Sequence, residues 1–72
     1  MKINFEVKCC DGGYYLDYSY TSFNFEGIAS QGGGYFPKKY TSLLFAEYVI
    51  ENVMKSLKRY AHFDVPYTVS YL

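Results

Sequence analysis

The chain has 72 residues, half of them apolar, which makes one small domain (residues 1–72) and is too hydrophobic for disorder. Its seven basic and seven acidic residues cancel, so it has neither the basic excess of most nucleic-acid binders nor the acidic excess of a DNA mimic. The only cysteines, Cys9 and Cys10, are neighbours and build no disulfide framework, and no stretch approaches the ~20 apolar residues of a membrane span. These features predict a protein kept in the reducing cytoplasm of a bacterial cell and encoded there or by a phage or other mobile element.

The first element is a strand. Ile3, Phe5, Val7 and Cys9 alternate with Lys2, Asn4, Glu6 and Lys8, the period of a half-buried β-strand. Asp11-Gly12-Gly13 then supplies the positive φ angles of a tight hairpin. Tyr14, Leu16, Tyr18 and Tyr20 continue the apolar face on a second strand, opposite Tyr15, Asp17, Ser19 and Thr21. There the phase slips. Tyr20 and Phe23 are three apart, and an unbroken strand would carry Phe23 to the wrong face. The spacing therefore predicts a turn or bulge at Thr21-Ser22 and a third short strand from Phe23 to Ser30. Gln31-Gly32-Gly33-Gly34 reads as a flexible break.

A helix follows, capped by Thr41 or Ser42. Leu43, Ala46, Ile50, Val53, Leu57 and Tyr60 recur at three- and four-residue steps, widened by Phe45, Val49 and Met54. His62-Phe63-Asp64 leads to a last strand with Val65, Tyr67, Val69 and Tyr71 on one face and Pro66 at its start or on a sheet edge. The expected fold is α+β, in the order β-β-β-α-β: an antiparallel sheet with one helix packed on one face. Ile3, Phe5, Val7, Leu16, Tyr18, Leu43, Ala46, Ile50, Val53, Leu57 and Val69 are its expected core.

Three features resemble the HicB-type antitoxin domain. Asp11-Gly12-Gly13-Tyr14 is similar to that family's D-G-G-Y turn. Gly27-Ile28-Ala29-Ser30-Gln31-Gly32 is similar to its G-x-x-[TS]-x-G stretch. Thr41 opens the helix, with Ala46 on its inner face. The resemblance implies a partial RNase H-like fold and a toxin partner. The chain departs from the pattern where Ser22-Phe23-Asn24-Phe25 replaces the family's proline-containing segment, and at the added residues Gly33 to Tyr40.

The residues offer little for catalysis. Cys10, His62 and Asp64 are the residue types of a nucleophile, base and orienting group, but nothing brings them together. Cys9 reads as a core residue. Glu6 and Asp17 face each other across the first hairpin, yet two carboxylates are too few for a two-metal nuclease, and nearby Lys2 and Lys8 make ion pairing the simpler account. No catalytic residue, metal ligand or cofactor is expected.

The segment Gly32 to Tyr40 stands out, because it places aromatics and a lysine pair outside any periodic face. Tyr35, Phe36, Lys38, Lys39 and Tyr40 are the expected partner-binding residues, carried on a mobile loop. Glu6, Tyr15 and Asp17, on the outer sheet face, form the second candidate surface. The expected function is a non-enzymatic, protein-binding inhibitor of antitoxin or anti-defence type, whose partner is a toxin or a defence-system component. Two alternatives are a nucleic-acid-binding module using Lys55, Lys58 and Arg59, and a homo-oligomeric structural protein. Surplus strand aromatics predict a homodimer that buries the Tyr67 and Tyr71 region.

Overall fold

The structure, a computed structural model, describes residues 1–61 and 65–72. The sequence expectations for His62, Phe63 and Asp64 lie outside the described residues. Four strands and one helix follow in the order β1 (Lys2–Cys10), β2 (Gly13–Phe23), β3 (Ala29–Tyr35), α1 (Leu43–Ala61) and β4 (Tyr67–Tyr71). This is the α+β, β-β-β-α-β arrangement that the periodicity predicts. The strands form one sheet in the order β3-β2-β1-β4. β1 pairs antiparallel with β2 but parallel with β4, so the sheet is mixed rather than antiparallel throughout. The 19-residue helix between β3 and β4 carries the chain back across one face, which is what lets β4 join β1 in the same direction.

The first hairpin closes on two residues with positive φ, Asp11 at 50° and Gly12 at 71°, between the paired Cys10 and Gly13. This is the geometry that favours Asp-Gly. Its register sets Ile3, Phe5 and Val7 opposite Tyr20, Tyr18 and Leu16. Ser42 caps the helix: its Oγ accepts from Phe45 N at 3.2 Å, and its carbonyl accepts from Ala46 N. Ala46, Ile50 and Met54 then press onto Ile3, Phe5, Val7 and Leu16, with Tyr40 and Val65 closing the cluster. The other expected core residues, Tyr18, Leu43, Val53, Leu57 and Val69, pack around it half-buried.

Four sequence expectations are corrected. β2 does not bend at Thr21-Ser22. It runs unbroken to Phe23, and the phase slip is real: Phe23 points to the wrong face and is 67% exposed. The supposed third strand is instead a tight turn over residues 24–28. The supposed flexible glycines are β3 itself, paired with β2 as Gly32↔Tyr20, Gly33↔Ser19 and Gly34↔Tyr18. Each glycine on the helix side lies across from a tyrosine whose ring covers the missing side chain, an aromatic compensation known for strand glycines. Finally, Cys9 and Tyr60 are exposed, although both continue an apolar period. The layer covering the sheet ends at Val7, and Tyr60 lies in the last turn of α1, beyond the residues that the helix buries.

Two stability predictions follow from this packing. Ile50→Ala should lower unfolding free energy in urea by about 2–5 kcal/mol through a cavity, whereas Tyr60→Ala should change it by less than about 0.5 kcal/mol. Gly33→Ala should cost about 1–3 kcal/mol, because a Cβ there would stand 2.6 Å from the Tyr18 carbonyl oxygen and 3.3 Å from Ser19 Cα, and backbone does not yield as a side chain does.

Candidate binding site

The five residues expected on a mobile loop are divided among three environments. The segment after β3 is pinned: Phe36 N donates to the Leu16 carbonyl at 2.8 Å, and Tyr40 exchanges two 2.8 Å backbone hydrogen bonds with Tyr14. Tyr40 is a core residue, only 5% exposed, with its ring tilted on Phe45 at 5.5 Å. The Lys38 ammonium lies 5.8 and 5.7 Å from the Tyr40 and Phe45 ring centres, a cation–π contact. Lys39 lays its stem along Gly13 and donates to the Asp11 carbonyl at 2.5 Å, clasping the first hairpin. Tyr40 is therefore a packing residue and not an exposed partner contact. The aromatic-basic cluster is largely an internal device that ties the strand-to-helix connection to the β1–β2 turn.

Tyr35 has a different setting. It pairs with Asp17 across β2 and β3 and projects from the helix-free face of the sheet, 72% exposed. The register puts Glu6 opposite Asp17 and Lys8 opposite Tyr15, so Tyr35 shares one face with Glu6, Tyr15 and Asp17. The Lys8 ammonium bonds the Asp17 carboxylate at 2.7 Å, which raises the lysine pKa above its ordinary value, first by the hydrogen bond and then by the charge. Asp17 is thus held as an ion-pair partner, as the sequence suggested. Further along, Asn4 Oδ1 accepts from Thr68 Oγ1 at 2.7 Å and Ser70 Oγ at 3.2 Å. The face is a flat polar floor with its side chains cross-braced, and Tyr15 and Tyr35 stand on it.

On the helix side, Phe36 packs edge-on to Tyr18, with ring centres 5.9 Å apart. Together with Met1, Tyr20, Pro37, Val53 and Leu57 these rings line an open groove of about 430 Å³ whose lining is almost wholly apolar. The groove exists because α1 stops short of β3, whose glycines have no side chains to raise a wall. The sequence carries no sign of it, since Val53 and Leu57 have the spacing of ordinary core positions.

The β2–β3 hairpin also extends past the end of β1, since Lys2 already pairs with Thr21. Its turn is set by Asn24, whose side-chain oxygen accepts from Glu26 N and Ile28 N at 2.9 Å each, while Gly27 at φ 80° donates to the Asn24 carbonyl at 3.0 Å. Phe23, Phe25 and Ile28 all project into solvent from this arm, and Phe25 is fully exposed.

Lys55, Lys58 and Arg59 are exposed along the last turns of the helix. β4 is an edge strand, as expected. Tyr67 rests edge-on against Phe5 at 6.1 Å. Partial desolvation and the Glu47 carboxylate raise the Tyr71 phenol pKa. Among the described residues, no three His, Cys, Asp or Glu side chains are grouped to hold a metal ion, and no helix is long and apolar enough to cross a membrane. No protein-family model matches the chain, and comparisons with curated proteins and with solved structures give no significant match.

The two aromatic neighbours Tyr35 and Tyr40 should behave oppositely. Tyr40→Ala should destabilise the fold by about 3–5 kcal/mol in equilibrium denaturation, as loss of a buried aromatic does, while Tyr35→Ala should stay within about 0.5 kcal/mol of the parent.

Proposed function

We propose that this protein is a non-enzymatic inhibitor that binds a partner protein and covers its working surface, in the manner of an antitoxin or anti-defence protein. The observation that carries the reading is the helix-free face of the sheet, which no element among the described residues covers. Tyr15 and Tyr35 flank the Lys8–Asp17 ion pair there, on strands held in fixed register. Tyrosine supplies large contact area with a polar tip and is enriched at binding hot spots. Cross-bracing by Asn4, Thr68 and Ser70 fixes side chains before a partner arrives, which reduces the ordering cost of association. The sequence resemblance to HicB-type antitoxins supports the same class of function, with a toxin or defence component as the partner.

Affinity purification from the native host, followed by mass spectrometry, tests this reading. The parent chain should retain a protein partner, and the Tyr15→Ala/Tyr35→Ala double variant should lose it. Each hot spot is expected to weaken binding by about thirtyfold, with an unchanged circular dichroism spectrum. A partner retained equally by both forms would move the interface elsewhere. Recovery of nucleic acid instead, with affinity falling steeply as salt rises, would favour the module built on Lys55, Lys58 and Arg59.

A further inference from the structure

The chain carries two uncovered apolar features, a knob at the tip of the β2–β3 arm and a hole on the helix side of the sheet. We infer that the β2–β3 arm of one molecule docks in the apolar groove of a second copy, and reciprocally, forming a two-fold symmetric dimer. The knob is the tip made by Phe23, Phe25 and Ile28, and the hole is the channel between Tyr18, Tyr20 and Phe36 on one side and Val53 and Leu57 on the other.

The argument for a second copy rests first on area. The chain exposes 5367 Å². A compact monomer of its 8.4 kDa mass exposes about 4,600 Å², so the excess is about 750 Å². A standard stable interface buries about 800 Å² on each partner. The excess on one molecule is therefore close to what one side of such an interface removes. The shape shows where it lies. The radius of gyration is 13.3 Å, against about 11 Å for a compact chain of this length, and the molecule measures 45 × 22 × 18 Å, with the arm lengthening it.

Chemistry points the same way. The groove has almost no polar lining to orient a small ligand. The arm is pre-shaped by the Asn24 hydrogen bonds, so docking it costs little ordering. A net charge of zero leaves no overall repulsion between copies. Because knob and hole lie on the same chain, a two-fold axis makes each contact twice, and closure stops growth at the dimer. This places self-association at the β2–β3 arm and the groove beside it, not at Tyr67 and Tyr71.

Sedimentation equilibrium over the micromolar range should give twice the 8.4 kDa chain mass for the parent. Phe25→Asp, at a fully exposed position where the fold should tolerate the change, should raise the dimer dissociation constant by at least about thirtyfold. Leu57→Glu should do the same from the groove side. Mixing the two variants should restore association, because one arm and one groove remain intact in the heterodimer. A second measurement does not depend on Leu57→Glu folding: a benzophenone side chain placed at residue 25 should crosslink to the 53–57 stretch of an isotope-labelled second copy. A monomeric parent, a Phe25→Asp variant that dimerises as the parent does, or crosslinks confined to other residues would each overturn the proposal.

Discussion

One helix cannot cover four strands. Strands lie about 4.8 Å apart, so a four-stranded sheet spans at least about 14 Å between its outer strand axes, while a helix with its side chains is about 10–12 Å across. The position of α1 therefore decides which part of the sheet becomes core and which is left open. It packs on the β1–β2 part of the sheet, where Ala46, Ile50 and Met54 share one core cluster with Ile3, Phe5, Val7 and Leu16, and leaves β3 uncovered. The shallow core, the glycines of β3 and the groove beside Val53 and Leu57 all follow from that choice.

The same limit explains the connection between β3 and α1. With so little helix-to-sheet contact, the chain needs other ties at the end where the helix starts. Tyr40 supplies one by pairing with Tyr14 and filling the space beside Phe45, and Lys39 supplies another by reaching the Asp11 carbonyl. A lysine that looks in sequence like a steering charge spends its ammonium on a backbone oxygen and its stem on a glycine. Its Gly13 neighbour is what makes room, since a Cβ there would collide with the Lys39 side chain.

Much of the fold was legible because period and turn chemistry agreed. The alternation in β1, the Asp-Gly turn and the Ala46–Ile50–Leu57 spacing each point to one answer, and the element order followed. The parallel pairing of β4 was not legible, since alternation is the same for either direction. β3 was missed for a clear reason. Glycine normally weakens strands, and nothing in Gly32-Gly33-Gly34 itself says that Tyr18 and Tyr20 stand opposite to cover it. The candidate site was half legible. Tyr35, Glu6, Tyr15 and Asp17 were named for separate surfaces, and only the register shows that they share a face. The exposed arm has a signal too: the phase slip at Phe23 implies a strand break only on the assumption that a phenylalanine must be buried.

That assumption fails where apolar residues serve a contact outside the chain. Phe23 and Phe25 sit on a turn fixed by three hydrogen bonds to Asn24, so their exposure is held in place by structure and is not the fraying of a loose end. An isolated two-stranded arm is marginal in water, and this one ends in an unsupported strand edge made largely of small residues. Such an arm loses less by its exposure if it is covered in use. The tyrosines that stabilise it bring the same consequence, because rings laid over Gly32 and Gly34 present an apolar floor that α1 is too narrow to reach. The device that rescues β3 is thus the one that opens the groove, and the arm and the groove have a common origin in the mismatch between a single helix and a four-stranded sheet.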